Sequence, residues 1–153
     1  MALAIIMVWY VSIGALAAAG SMYLSHRFVP AKHEATLYGL FLIAIAAFYL
    51  ACTSYFGDAA AWSLETVAAL VFALMGCLGT RAPVVLMAGY ALHGGWDLLH
   101  EVQAHVQVDL FGGREATKIP LAYGAFCAMF DWAMVVYFFY RRRHWVAAWK
   151  SRA

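Results

Sequence analysis

Five stretches of about twenty mainly apolar residues follow one another along this chain, and each is long enough to cross a bilayer as a helix. They run from about Ala2 to Tyr23, Thr36 to Phe56, Ala60 to Gly79, Pro83 to Val102 and Ile119 to Tyr140. Hydrophobic residues make up 66% of the 153 and charged residues 12%, against about 45–50% and about 25% in soluble domains. A soluble fold would lack the polar surface to cover such an excess. The expected fold is therefore all-α: one polytopic transmembrane bundle of about five helices, spanning residues 1–153 as a single domain.

The breaks between these stretches are marked. Pro30 ends the first loop, and Pro83 and Pro120 are expected to open the fourth and fifth helices, where a missing N–H does no harm. The third and fourth stretches are joined by so few residues that they must be antiparallel neighbours. No basic residue precedes the first stretch, which reads as a true span and not as a secretory signal.

Loop charges set an expected orientation. With five spans, Arg27, Lys32, Arg81, Arg141, Arg142, Arg143, Lys150 and Arg152 fall on one side, and Arg114 and Lys118 on the other. The positive-inside rule then puts the N-terminus outside and the C-terminus in the cytoplasm. Residues 141–153 form a basic, aromatic tail with Trp145 and Trp149, suited to lie along anionic lipid as a topology anchor. The net charge of +2 and its confinement to loops and tail give no sign of nucleic-acid binding. Cys52, Cys77 and Cys127 sit in separate apolar stretches with no C-x-x-C pair, so they read as small buried hydrophobes.

Within the fourth stretch, Tyr90-Ala-Leu-His93-Gly-Gly-Trp96-Asp97-Leu-Leu-His100-Glu101 breaks the apolar pattern. An ionisable side chain near the bilayer centre costs roughly 2.5–3.5 kcal/mol and marks a functional site by default. Helical geometry turns His93, Asp97, His100 and Glu101 to one side, which must face the bundle interior. Counting from the helix ends, His93 and Asp131 lie at one depth, and Glu65 and Asp97 at a second, nearer the outside. Three helices thus bring acidic or imidazole groups to two adjacent layers.

That cluster admits several chemistries. Imidazole and carboxylate together suit a divalent transition metal, with His93, Asp97, His100 and Asp131 as candidate ligands. His93 and Asp97 are about 6 Å apart along the axis and can share an ion, as can Asp97 and His100; His93 and His100, about 10.5 Å apart, cannot grip one ion alone. Without metal, His93, Asp97, Asp131 and Glu65 could act as acid and base on a membrane-soluble lipid or isoprenoid, as in a double-bond isomerase. Trp96, Trp132 and Tyr90 could line a pocket for such a substrate, or be ordinary core. Chains of Asp, Glu and His also mark proton or cation conduits, which five short helices could form only narrowly or as an oligomer. The bland alternative is a polar network that fixes helix packing, with Gly94, Gly95 and Gly124 permitting close approach.

Weaker candidates surround the cluster. His105 and Asp109 fall in the polar stretch from Gln103 to Lys118, which turns at Gly112-Gly113 and could cover the site. His26, His33 and Glu34 read as loop residues, Glu34 favouring a helix N-terminus, and His144 as part of the tail.

His93-Gly-Gly-Trp96-Asp97-Leu-Leu-His100, with Pro120 and Tyr123-Gly-Ala-Phe-Cys127-Ala-Met-Phe-Asp131, resembles the pattern of a family of small bacterial integral-membrane proteins of uncharacterised function. There too, a His-x-x-Trp-Asp-x-x-His helix is followed by a Pro, a Cys and an Asp. The resemblance covers the C-terminal third and implies that His93, Asp97, His100 and Asp131 act as one unit in a bacterial inner membrane. It carries over no activity.

Overall fold

The computed structural model describes residues 1–106 and 108–150; Arg152 lies outside them. Five α-helices occupy the described residues: α1 (Ala2–Phe28), α2 (Ala31–Phe56), α3 (Trp62–Gly79), α4 (Pro83–Val106) and α5 (Tyr123–Lys150), with a short 3-10 turn at Ala59–Ala61. Four of them, all but α4, are long and apolar enough to cross a membrane. α4 is 24 residues long, but His93, Asp97, His100 and Glu101 lower its hydropathy. All four of those side chains are buried, so the polar side of α4 faces protein.

Local chemistry explains the breaks. Pro30 drives Val29 into an extended conformation (φ −106°, ψ 122°), because its ring crowds the preceding residue out of the helical region. α2 stops at Gly57, whose φ of 69° is the left-handed turn that glycine adopts without steric cost. α4 starts at Pro83 as expected. α5 starts later than Ile119 and is not opened by Pro120: Leu121 and Ala122 form a turn, and the helix begins at Tyr123. The backbone N–H groups of Ala122 and Gly124 donate to Glu101 (3.2 and 2.9 Å), so a carboxylate from α4 holds this start in place.

α4 packs most extensively against α5, α2 against α3, and α1 against α5, while α1 and α2 barely touch. Two of the close approaches that depend on glycine position the site. Gly39 of α2 and Gly76 of α3 face each other so tightly that a Cβ on Gly39 would lie 2.5 Å from the Gly76 carbonyl oxygen. A Cβ on Gly124 would strike the Asp97 carbonyl and the Glu101 side chain, so α4 and α5 meet at the level of the polar residues.

The tail is not a separate surface segment. α5 continues unbroken to Lys150, 28 residues or about 42 Å at 1.5 Å per residue, well beyond the roughly 30 Å hydrocarbon core. Trp145 is fully buried, in the same core as Tyr38, Tyr90 and Phe138.

Candidate functional site: a buried imidazole–carboxylate cluster

His93 occupies the centre of the bundle. Its Nδ1 lies 2.8 Å from Asp131 Oδ2, with which it shares a hydrogen bond, and 3.1 Å from Asp97 Oδ2. All three residues are 1% exposed or less. Among the described residues they form the one group of three or more His, Cys, Asp or Glu side chains whose candidate ligand atoms all come within 4.8 Å of one another. Tyr49, on α2, donates to Asp97 Oδ1 at 2.5 Å, and its ring meets those of His93 and His100. The Phe72 ring closes the His93 side from α3.

Nδ1 carries at most one proton, yet two buried carboxylates crowd it. The Asp97 oxygen nearest to it has no hydrogen-bond geometry, and neither Asp131 Oδ1 nor His93 Nε2 has a partner. Buried polar atoms are normally satisfied, so three orphans in one cluster are a signal.

Glu65 meets His100 and not Asp97, a correction to the depth count. His100 Nε2 lies 2.9 Å from Glu65 Oε1, so Glu65, in the first turn of α3, meets α4 three residues, or about 4.5 Å, beyond Asp97. His100 Nδ1 is 3.0 Å from the Trp96 carbonyl oxygen. A carbonyl only accepts, so Nδ1 bears a proton, and a second proton must lie between Nε2 and Glu65. His100 and Glu65 therefore form a proton-holding pair one turn from the trio, linked to it by the Tyr49 ring. Glu65 Oε2 is a further orphan.

The connection from α4 to α5 straps over this end. Thr117 N–H donates to Glu65 Oε1 (3.0 Å). Lys118 N–H donates to Asp58 Oδ2 (2.9 Å), and its ammonium lies 3.3 Å from Asp58 Oδ1. The Lys118 backbone N–H, more than the ammonium, holds the Asp58 carboxyl below its usual pKa against the opposing effect of burial. His105 pairs with Glu101 (2.8 Å), and Asp109 accepts from the backbone of Phe111 and Gly113. The covering side chain is Phe111, whose ring packs on Trp96 and His100.

Of the aromatic residues considered for a substrate pocket, Tyr90 is core and donates to the Tyr38 carbonyl oxygen, and Trp132 donates to the Ala91 carbonyl oxygen at the surface. Trp96 does line a space. An apolar groove of about 700 Å³ runs between α3 and α4 past Val67, Val71, Phe72, Leu92, Gly95 and Trp96. Phe72 and Trp96, which separate it from the polar cluster, touch His93 and His100. The Trp96 indole N–H is buried without an acceptor.

A second polar centre went unrecognised in the sequence. Glu34 is fully buried; it accepts two hydrogen bonds from Arg141 (2.7 and 3.0 Å), one from Trp145 (2.8 Å), one from Ser25 (3.3 Å) and one from Tyr137. Its lone pairs are taken, which marks a structural clasp. Cys52 and Cys127 are buried, Cys77 is exposed, and all three are free thiols.

No curated protein and no solved structure matches the chain. A family model does match, over residues 6–144, and so takes in all five helices and the whole cluster. The chain belongs to the family of unknown function DUF6010.

Proposed function

We propose that this membrane protein holds a divalent transition-metal ion at His93, Asp97 and Asp131 and uses it for chemistry on a membrane-soluble substrate. The observation that carries the reading is one imidazole nitrogen placed 2.8 and 3.1 Å from oxygens of two buried carboxylates. A tetrahedral ion with bonds of about 2.0–2.2 Å spaces its ligand atoms about 3.3 Å apart, so a few tenths of an ångström of relaxation seats it. A dication neutralises two carboxylates that no Lys or Arg side chain pairs with among the described residues. Three protein ligands leave a fourth position open, as catalytic sites do. A bound ion there would polarise a substrate oxygen or acidify a water.

The chain's own residues supply the rest. Tyr49 orients Asp97; the His100–Glu65 pair holds a transferable proton beside the cluster; Phe111 covers that pair. An acyl or isoprenoid chain lies in the α3–α4 groove, with the Phe72 and Trp96 rings between it and the cluster; movement of Trp96 would open the way and free its N–H for a polar group. His100 serves the proton chemistry, its Nε2 being committed to Glu65. The loop charges support a bacterial inner-membrane topology with the N-terminus outside and the strap facing outward.

Elemental analysis of detergent-purified protein, prepared without chelators, tests the reading. About one equivalent of zinc, iron, manganese or copper is expected, and it disappears in Asp97→Asn and Asp131→Asn. Metal-free wild type sinks it. A second reading, a proton conduit, is favoured by the pairs that continue along α4 to Glu101–His105; it requires a proton flux in liposomes that Asp131→Asn abolishes.

A further inference from the structure

At the opposite end of the bundle from the strap, a groove of about 410 Å³ lies between Pro83 and Val84 at the start of α4 and Arg142, Arg143, Val146 and Lys150 on the last turns of α5. Its lining has two parts. Pro83, Val84 and Val146 make an apolar wall, and three cationic side chains stand around it. The Arg142 guanidinium is fixed: it donates to the Phe139 carbonyl oxygen (2.6 Å) and lies over the Phe139 ring, 3.6 Å from its centroid. Its position is therefore settled before anything binds.

Among the described residues, no carboxylate neutralises these cations. The chain has eight acidic residues, and Glu34 is the one at this end, where Arg141 saturates it. Asp58, Glu65, Asp97, Glu101 and Asp131 pair with Lys118 or histidines. Asp109 and Glu115 lie in the strap. Among the described residues, no ion pair involves Arg142, Arg143 or Lys150. The amino end of α4 adds its own positive potential.

We propose that this groove binds the phosphate headgroup of an anionic membrane lipid, with the first methylenes of an acyl chain against Pro83, Val84 and Val146. Guanidinium groups suit phosphate oxygens, and the apolar wall of Pro83, Val84 and Val146 offers methylenes a seat that a free anion would not need. The inference is independent of the chemistry at His93.

Native mass spectrometry of the full chain, with phosphatidylglycerol and phosphatidylcholine offered in equal amounts, tests it. Wild type retains phosphatidylglycerol preferentially. The triple variant Arg142→Gln/Arg143→Gln/Lys150→Gln binds it on the order of a hundredfold more weakly, from the worth of a basic residue near an anionic surface. A variant with the same charge loss at the same end, Arg27→Gln/Lys32→Gln/Arg81→Gln, keeps it. Inorganic phosphate does not displace the lipid. Equal retention of phosphatidylcholine, an equal loss in the second triple variant, or displacement by inorganic phosphate would each overturn the proposal. Circular dichroism of the variants separates unfolding from loss of the site, and Arg142→Lys/Arg143→Lys, which keeps the charge, is expected to recover part of the binding.

Discussion

At the scale of single residues, partners decide which polar groups matter. The Tyr49 hydroxyl supplies the hydrogen bond to Asp97 Oδ1. Tyr49→Phe leaves that buried oxygen bare and should cost about 1–3 kcal/mol, read as a lower Tm in detergent together with weaker metal retention. Glu34→Ala strands a largely buried Arg141 and should cost about 3–5 kcal/mol with no effect on metal stoichiometry, because the clasp is remote from the ion. Asp58 gives a pH dependence. Its folded pKa is lowered, so its stabilising contribution is full above the ordinary carboxylate range and is lost as pH falls through the folded value. The protection factor of the Lys118 amide, which donates to Asp58, should therefore fall in acid once intrinsic exchange is divided out, and Asp58→Asn should show the lowered protection already at neutral pH.

Among the helices, fit depends on a few close contacts, and two glycines on facing elements behave oppositely. Gly124→Ala forces a Cβ into the Asp97 carbonyl and the Glu101 side chain, which should separate α4 from α5 and destabilise by about 1–3 kcal/mol. Gly95, whose added Cβ meets nothing within 4 Å, should accept alanine with a gain of up to about 1 kcal/mol. Paired thermal melts check both. The same scale explains what the sequence could reveal. Long apolar stretches and Pro83 at the head of α4 outline most of the helices, and position counting puts His93 level with Asp131. Counting misses the pairing of Glu65 with His100 by about one turn, because equal residue counts do not fix which side chain on the facing helix a carboxylate meets. It fails for the start of α5 because Glu101 sets it from another helix. Tyr49 and Phe111 have no local pattern, and three of the partners of Glu34, namely Tyr137, Arg141 and Trp145, lie more than a hundred positions away.

For the whole molecule, the two ends differ in kind. One carries the strap, held by carboxylates of α3, α4 and the α2–α3 turn; the other carries the uncompensated cations. The proposed topology puts the strap outside the cell. A cysteine introduced at Gly112 should react with a membrane-impermeant maleimide in intact cells, and one at His144 only after lysis. The reverse labelling would invert the orientation and with it the side from which an ion could enter.

The Glu34 clasp also bears on how such a chain is made. Ribosomes deliver α1 and α2 first, while Tyr137, Arg141 and Trp145 emerge more than a hundred residues later. Until then the Ser25 hydroxyl is the one partner of the clasp already made for Glu34, and α1 lacks the helix that holds it. The last turns of α5 thus act as the closing bolt of biogenesis. A nascent chain stalled or cut before Arg141 exposes a signal that membrane quality control can read.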